Sequence, residues 1–374
     1  MPCPYGPPPA TMVVITGIGV VSPLGHSVDE LARRWRAGER AASAAGGGVL
    51  IDSIPFDAVP DEIRARSGRL DRICRLFLAA SVLAVDDSGF TIANGDAERV
   101  GLSFGSGLGC LLSDAEFYDR VVAQGAAAAS PRVFAYTVSS AAAGEVSIAL
   151  GVHGPNLTLH MGLAAGLGAI GYGFDLIQMG KADVVLAGGA DANGPALVEA
   201  LRDMRLLKEA SAARPFVDTV PGVWPSEGAA VVVLESETHA RARGARIRAR
   251  VDGYAAGFEP TLTNRAPSAD GVVATLRRAV TASGHAPSEI GLVVASAHGT
   301  PLDACEGAAL TEALGKATQP RIIAPKHSIG ETFGASGALG VALAAGLAPN
   351  APILVSSLCY SGNVAALVLR VAPQ

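Results

Sequence analysis

Hydrophobic periodicity divides the middle of the chain into a short strand and a helix. Apolar and polar residues alternate from residue 157 to residue 161, which predicts a strand. The apolar positions that follow recur at three- and four-residue spacing, as on one face of a helix: Leu163, Leu167, Ile170, Phe174 and Ile177. A strand that runs directly into a helix commonly carries a nucleophile, because the helix N-terminus stabilises a thiolate or an alkoxide. The turn between them, however, holds no nucleophilic side chain.

The same kind of pattern on either side of this stretch predicts an α/β fold of two similar halves. In the first half, buried strands are expected near residues 12, 99, 157, 183 and 229. In the second half, they are expected at residues 247–253, 290–297, 321–325, 352–357 and 364–371, with helices between them. This alternation indicates a largely parallel sheet. We predict a flexible, proline-rich leader at residues 1–11, an N-terminal half at residues 12–240 and a C-terminal half at residues 241–374.

The composition is that of a globular protein with a large core. Hydrophobic residues make up 49% of the 374 residues and charged residues 17%. Aromatic residues make up only 5%, so glycine and alanine contacts must provide much of the packing. The net charge of −5 argues against nucleic acid as the main partner. No membrane span is predicted, because no apolar run reaches roughly 18 residues, and no secretion signal opens the chain.

The five cysteines give no sign of a metal or redox site. They form no CxxC pair and show no metal-ligand spacing. An odd number of scattered cysteines is expected in a reducing compartment. We therefore predict a cytoplasmic protein that has no metal and no cofactor.

Three segments of the chain resemble the active-site motifs of the β-ketoacyl synthases, which have the thiolase fold. GPNLTLHMGLAAGLGAI resembles the segment of the nucleophilic cysteine, and Leu163 stands at the cysteine position. SAHGTPLDACEGAAL resembles the first histidine motif, with His298 in place. APKHSIGETFGASGALG resembles the second, with Lys326 in place but Glu331 at the histidine position. The acidic positions of the first histidine motif are also retained, as Asp303 and Glu306.

A fourth segment departs from the family pattern. SSLCYSGNVAALVL stands where these enzymes have a glycine-rich loop, and Tyr360 occupies one of the loop positions. The resemblance as a whole covers residues 12–372. It implies a thiolase-like five-layer αβαβα fold, in which two similar halves place two sheets among three layers of helices.

The resemblance also implies a site that has lost its chemistry. Family members hold the acyl chain as a thioester on cysteine, then use two histidines to decarboxylate a malonyl unit and stabilise the carbanion. Leucine cannot form a thioester, and an ionised Glu331 would repel the enolate. No position of this degenerate site is expected to be catalytic in the chain alone: Leu163, His298, Lys326, Glu331 and Tyr360.

Among ketosynthases, such a chain resembles the chain-length factor, or ketosynthase β subunit, of type II polyketide synthases. This implies a heterodimer with a catalytic ketosynthase, and an acyl carrier protein that presents the growing chain on phosphopantetheine. Two alternatives stay open. One is a malonyl-carrier-protein decarboxylase that works through His298 without a cysteine, and the other is a homodimeric acyl-binding scaffold.

The same matching assigns three surfaces. The dimer interface is expected along the strand before the nucleophile turn, at Leu157, Thr158, Leu159, His160 and Met161. Gating of the acyl tunnel is expected at Gly109, Leu112, Glu116 and Phe117, although ordinary helix packing explains these side chains equally well. The arginines of residues 64–75 either solvate their helix or guide the acidic carrier protein.

Overall fold

The structure is a computed structural model. It describes residues 11–372, except residues 45–46, 66, 93–95, 209–213, 218–221, 261, 263–267 and 298. The predicted leader at residues 1–11 therefore lies outside the described residues apart from Thr11, and so does His298.

The N-terminal half contains five strands and the helices that connect them. The strands among the described residues are β1 (Val13–Val21), β2 (Val100–Gly105), β3 (Asn156–Leu159), β4 (Val184–Asp191) and β5 (Gly228–Ser236). The α-helices are α1 (Val28–Arg36), α2 (Asp61–Arg64), α3 (Arg72–Ser88), α4 (Leu111–Gln124), α5 (Pro131–Phe134), α6 (Ala141–Leu150), α7 (Ala165–Gln178), α8 (Pro195–Asp203) and α9 (Glu237–Ala242).

The C-terminal half repeats the arrangement. Its described strands are β6 (Ala249–Phe258), β7 (Leu292–Val294), β8 (Arg321–Ile323), β9 (Ile353–Leu358) and β10 (Asn363–Val371). Its α-helices are α10 (Asp270–Ser283), α11 (Leu302–Leu314), α12 (Lys326–Ile329) and α13 (Ser336–Leu347). The predicted strands of both halves are thus present.

The strand order shows that the halves are related by an internal twofold arrangement. Over the described residues the order is β3-β2-β4-β5-β1-β6-β10-β9-β7-β8, which reads the same from either end when the halves are exchanged. In each half the first three strands from the edge run parallel and the next two pairings are antiparallel. The alternation of strands and helices predicted a parallel sheet, but five of the nine pairings among the described strands are antiparallel. The resemblance implied two sheets, and a short antiparallel ladder between β1 and β6 joins the two halves, because Val13, Val14 and Ile15 pair with Val251, Arg250 and Ala249.

Alternation along the strands builds the layers. In β5, Ala230, Val232 and Leu234 face the central cluster that contains α7 and α13, whereas the alternate residues face the outer helix α3. The strand β10 alternates in the same way between the central cluster and the outer helices α10 and α11. The result is the predicted five-layer αβαβα fold, with α7 and α13 between the two halves of the sheet.

Glycines allow the central layer to close. A Cβ on Gly166 of α7 would lie less than 3.0 Å from the Gly334 carbonyl oxygen, and one on Gly105 at the end of β2 would equally overlap Ala165 O. Backbone therefore packs on backbone where the two halves meet, as the low aromatic content suggested. Within the part of the chain described, no helix is long and apolar enough to cross a membrane.

Candidate functional site

The turn between β3 and α7 has the expected strand-to-helix geometry. Residues Gly162–Ala164 form a 3₁₀ turn that runs directly into α7, and Gly162 has a φ of +56°, a left-handed conformation that favours glycine. Leu163 lies in this turn with only 7% of its surface exposed. Its carbonyl oxygen accepts a hydrogen bond of 2.9 Å from Ser357 Oγ on β9. The position predicted for a nucleophile is thus held at the helix start, but it carries only hydrocarbon.

The surroundings of Leu163 are also apolar. Four buried side chains complete its cluster: Leu197, Leu201, Phe333 and Cys359. Partly buried side chains pack around them: Leu108, Leu111, Leu206, Leu207 and Val223. These contacts stabilise the fold by burial, and Leu163 itself has no group that could attack a thioester.

Cys359 is the thiol nearest to this turn among the residues that pack there. A Cβ on Gly162 would lie less than 3.0 Å from its Sγ, and Ser361 Oγ lies 3.1 Å from the same sulfur. Cys359 follows β9 in the turn that leads to β10, so it does not stand at a helix N-terminus. Its side chain packs in the apolar cluster around Leu163.

Lys326 and Glu331 form a buried ion pair beside this turn. Lys326 Nζ lies 2.8 Å from Glu331 Oε2, and the side chains are 4% and 1% exposed. The other carboxylate oxygen accepts hydrogen bonds from Phe333 N at 2.8 Å and Ser336 Oγ at 2.7 Å. The residue predicted at the second histidine position is therefore a neutralised and fixed carboxylate, which cannot donate a proton as a histidine would.

The two acidic residues of the first histidine motif hold the local backbone. Glu306 accepts hydrogen bonds from Ser296 N at 2.8 Å and from Ser356 Oγ. Its burial raises its pKa to about 7, although these hydrogen bonds act in the opposite direction. Asp303 Oδ2 accepts from Gly299 N at 2.9 Å and from Phe216 N at 2.8 Å. Both carboxyl groups are thus used in loop structure.

Tyr360 lies at the tip of the turn between β9 and β10 and is 37% exposed. Desolvation raises the pKa of its hydroxyl to about 12, against the opposing effect of a hydrogen bond with the Thr300 side chain. The phenol is therefore protonated at neutral pH. His298, its predicted neighbour in the site, lies outside the described residues.

The structure adds one residue that the sequence did not single out. Asp191, at the end of β4, is fully buried and accepts hydrogen bonds from Ser106 Oγ at 2.5 Å, Gly107 N at 2.7 Å and Leu108 N at 3.1 Å. It also accepts one from Gly334 N at 2.6 Å, across the interface between the halves. Burial raises its pKa to about 6. An acidic residue that ends a buried, glycine-rich strand was the available signal.

The predicted gate residues lie at the start of α4. Gly109, just before the helix, has a φ of +64° and donates its N–H to Ser106 Oγ at 2.8 Å. The side chain of Leu112 packs against Gly194, while Glu116 pairs with Arg120 at 2.7 Å. The Phe117 ring lies 5.6 Å from that of Phe134.

The predicted interface strand forms an open edge of the sheet. Within the described chain, β3 pairs with β2 only, and its residues are half-buried or exposed. Around it, α4 buries none of its side chains, and the neighbouring segments expose large apolar residues. These are Tyr118, Val122, Phe134, Val138 and Ile148.

The arginines of residues 64–75 were expected either to solvate their helix or to guide the carrier protein, and Arg72 differs from that expectation because it pairs with a buried carboxylate. Its Nε donates to Glu227 Oε2 at 2.7 Å, and Glu227 is fully buried. A buried carboxylate strongly favours a paired cation, so Arg72 is held by the core. Arg75 lies over the Phe56 ring. Arg69 remains exposed, and Arg66 is outside the described residues.

Comparison with known families settles the relationship. The model of the β-ketoacyl synthase N-terminal domain matches residues 10–240, and that of the C-terminal domain matches residues 248–348. The chain belongs to the β-ketoacyl synthase family. Curated relatives include the 3-oxoacyl-[acyl-carrier-protein] synthase 2 of Staphylococcus aureus (strain N315), 29% identical over 87% of this chain and 83% of that protein. The same enzyme of Vibrio cholerae serotype O1 is 28% identical over the same shares.

Solved ketosynthase structures agree with this fold. One described as the ishigamide ketosynthase/chain length factor has a TM-score of 0.86 and 27% identity, and covers 98% of this chain and 100% of its own. A type II polyketide synthase ketosynthase, solved with its acyl carrier protein and bound to the hexaketide, has a TM-score of 0.85 at 20% identity and covers 97% of this chain and 100% of its own. The first adds sequence similarity to the shared fold, whereas the second shows the fold alone.

Glu306 predicts a pH dependence of stability. Its pKa is about 7 in the fold against an ordinary 4.5, so the folded state binds this proton more tightly than the unfolded chain. The stabilisation is full below about pH 4.5 and is lost as pH rises toward 7, at about 1.4 kcal/mol per unit of pKa difference. In Glu306→Gln, the fall in thermal midpoint between pH 5 and 7 should therefore flatten. Glu312→Gln, at an exposed position of α11, serves as the control and should keep the wild-type slope; an equal slope in Glu306→Gln would contradict the assignment.

The ion pair predicts a coupled pair of substitutions. Removing one partner leaves a buried charge, so Lys326→Met and Glu331→Gln should each cost about 3–5 kcal/mol of unfolding free energy. The double variant should cost clearly less than the sum, because no charge is left unpaired. Chemical denaturation of the four proteins measures the coupling, with exposed Lys316→Met as control. Additive effects would show that the two side chains act independently.

Proposed function

We propose that this chain is a non-catalytic ketosynthase-like subunit, a chain-length factor, that pairs with a catalytic ketosynthase of a type II polyketide synthase. The observation that carries the proposal is Leu163, buried at the start of α7 where the family mounts its nucleophilic cysteine. In this role the chain stabilises the catalytic subunit and shapes the tunnel that sets the length of the acyl chain. Its second partner is the acyl carrier protein with the phosphopantetheine-bound chain, and the compartment is the cytoplasm.

The chemistry of the site supports a non-catalytic role. Acyl transfer needs a nucleophile that can form and release a thioester, and the Leu163 side chain has no heteroatom. Stabilisation of an enolate needs hydrogen-bond donors, whereas Glu331 presents acceptor oxygens that are already occupied by Lys326, Phe333 N and Ser336. Both features support a subunit that does not carry out the family reaction by itself.

The similarity to the ishigamide ketosynthase/chain length factor supports the pairing, since that structure is named for a ketosynthase together with a chain-length factor. The curated relatives are catalytic 3-oxoacyl synthases at a similar level of identity. Their similarity accounts for the shared fold, and on this proposal Leu163 and Glu331 set the present chain apart from them.

The exposed surface around β3 supports a subunit interface. An open strand edge exposes unpaired N–H and C=O groups, which a twofold-related strand of a partner can satisfy. Leu157, Thr158 and Leu159 lie on this edge, and His160 and Met161 follow it. No side chain of helix α4 is fully buried, and exposed apolar side chains lie on it and on α5 and α6. They extend the surface, as expected of a large subunit contact.

Association and turnover test the proposal together. Co-expressed with a type II polyketide ketosynthase that has the Cys-His-His site, the chain should co-purify as a heterodimer, and the pair should extend malonyl units. The chain alone should neither become acylated nor release carbon dioxide from malonyl carrier protein. Intact-mass spectrometry and carbon dioxide release measure these outcomes. Covalent acylation of the chain alone would overturn the proposal. Carbon dioxide release by the chain alone would favour the malonyl-carrier-protein decarboxylase. A stable homodimer that does not associate with the ketosynthase would favour the acyl-binding scaffold.

A matched pair of variants locates the interface in the same experiment. Ile148 on α6 is 67% exposed beside β3, so Ile148→Asp should abolish co-purification with little change in thermal midpoint. Ile322→Asp, on β8 at the opposite end of the sheet, makes the same chemical change and should leave co-purification intact.

The gate residues predict an effect on product length. If Leu112 and Phe117 limit how far the acyl chain extends, then Leu112→Ala or Phe117→Ala should shift the products of the reconstituted pair toward longer chains. Each substitution removes side-chain volume and so leaves more space at the end of the tunnel. Mass spectrometry of the products measures the shift. Unchanged lengths with normal turnover would assign both side chains to ordinary helix packing.

A further inference from the structure

We infer that Gly194 is a positioning residue for chain length, because it leaves the space in which the Leu112 side chain rests. The inference rests on the proposed role of Leu112 in the gate. It extends that role to a residue in the turn between β4 and α8. This turn lies outside the set of gate residues predicted at the start of α4.

The nearest neighbour of an added methyl group at position 194 is the Leu112 side chain. The three heavy atoms closest to a Cβ built on Gly194 all belong to Leu112: Cδ2 at less than 3.0 Å, Cγ at 3.5 Å and Cδ1 at 3.7 Å. The backbone of Gly194 is extended, with φ −173° and ψ 175°, a conformation open to any residue. Glycine is therefore required here for space and not for backbone freedom.

The backbone at Gly194 is fixed. Its N–H donates to Asn193 Oδ1 at 2.8 Å, and Asn193 N donates to Glu227 Oε2 at 3.2 Å. The Asn193 side chain also donates to Val49 O at 3.2 Å. Glu227 is fully buried and paired with Arg72, so the turn is anchored to the core and cannot retreat from an added methyl group.

The start of α4 is fixed as well. Ser113, next to Leu112, donates to Asp71 Oδ2 through its N–H at 3.0 Å and its hydroxyl at 2.5 Å. One turn earlier, Asp191 holds Gly107 N and Leu108 N. With both backbones held, the movable part of the contact is the end of the Leu112 side chain, which can change rotamer at a cost of order 1 kcal/mol.

The space beside the Leu112 side chain determines the direction in which it would move. Leu112 also borders a cleft of about 230 Å³, which is lined by polar side chains that include Glu116, Arg132 and Tyr136. A methyl group on Gly194 would push the Leu112 methyls away from the β4–α8 turn and toward this cleft, where Glu116 of the predicted gate also lies. Gly194→Ala should therefore narrow the gate indirectly, by displacing the Leu112 side chain.

The experiment is a double-mutant comparison in the reconstituted heterodimer, supplied with malonyl carrier protein and read by product mass. Gly194→Ala should shift products toward fewer two-carbon units, and Leu112→Ala toward more. In Gly194→Ala/Leu112→Ala the added methyl has no side chain to displace, so product lengths should equal those of Leu112→Ala alone. Gly307→Ala on α11, where an added Cβ meets only ring carbons of Phe216 at 3.7 Å, an ordinary contact, is the matched glycine control and should match wild type.

The outcomes separate the inference from the function on which it rests. If Leu112→Ala lengthens products but Gly194→Ala leaves them unchanged, the role of Gly194 is overturned and the gate stands. If Leu112→Ala changes nothing, the gate itself fails. Should Gly194→Ala not accumulate as folded protein, the double variant decides: lengths equal to those of Leu112→Ala support the inference, and any other lengths overturn it.

Discussion

The fold depends on direct backbone contact at the point where its two halves meet. Gly166 of α7 lies against the Gly334 carbonyl, and a Cβ on Gly189 of β4 would lie 2.5 Å from the same oxygen. No side chain fits between these elements, so the turns before α7 and α13 are brought together at the centre of the molecule. Asp191 reinforces the contact, because its carboxylate binds N–H groups from both halves. A sheet of ten strands can fold back on itself only because this central layer is so thin.

This constraint explains how the turn before α7 can keep its geometry whichever side chain stands at position 163. The 3₁₀ turn at Gly162–Ala164 is set by backbone packing and by the Ser357 bond to Leu163 O, neither of which depends on the side chain at position 163. Leucine then joins an apolar cluster and adds buried surface. At Glu331 the stabilising contact is electrostatic, since the carboxylate pairs with the buried Lys326. Leu163, Lys326 and Glu331 are thus all part of the buried core.

The sequence predicted the features that depend on local or repeating patterns of residues. Strand and helix periodicity located the ten described strands, and residue types at Leu163, Lys326 and Glu331 could be matched to motifs. The ion pair between the last two could not be predicted from spacing, because it depends on how α12 and the following turn place two side chains. Asp191 and Gly194 were missed because their partners are distant in sequence. Arg72 was misread for the same reason: its charge suggested a solvated surface, whereas its partner Glu227 lies buried 155 positions away.

The exposed apolar side chains on and beside helix α4 affect how the protein behaves before it is assembled. The first turn of this helix packs on the core through Leu111 and Leu112, whereas Tyr118 and Val122 further along are exposed to water together with Phe134 and Ile148. Exposed apolar side chains of this kind favour non-specific association of the isolated chain. If the proposed catalytic subunit covers this flank, synthesis of the two chains together would protect it.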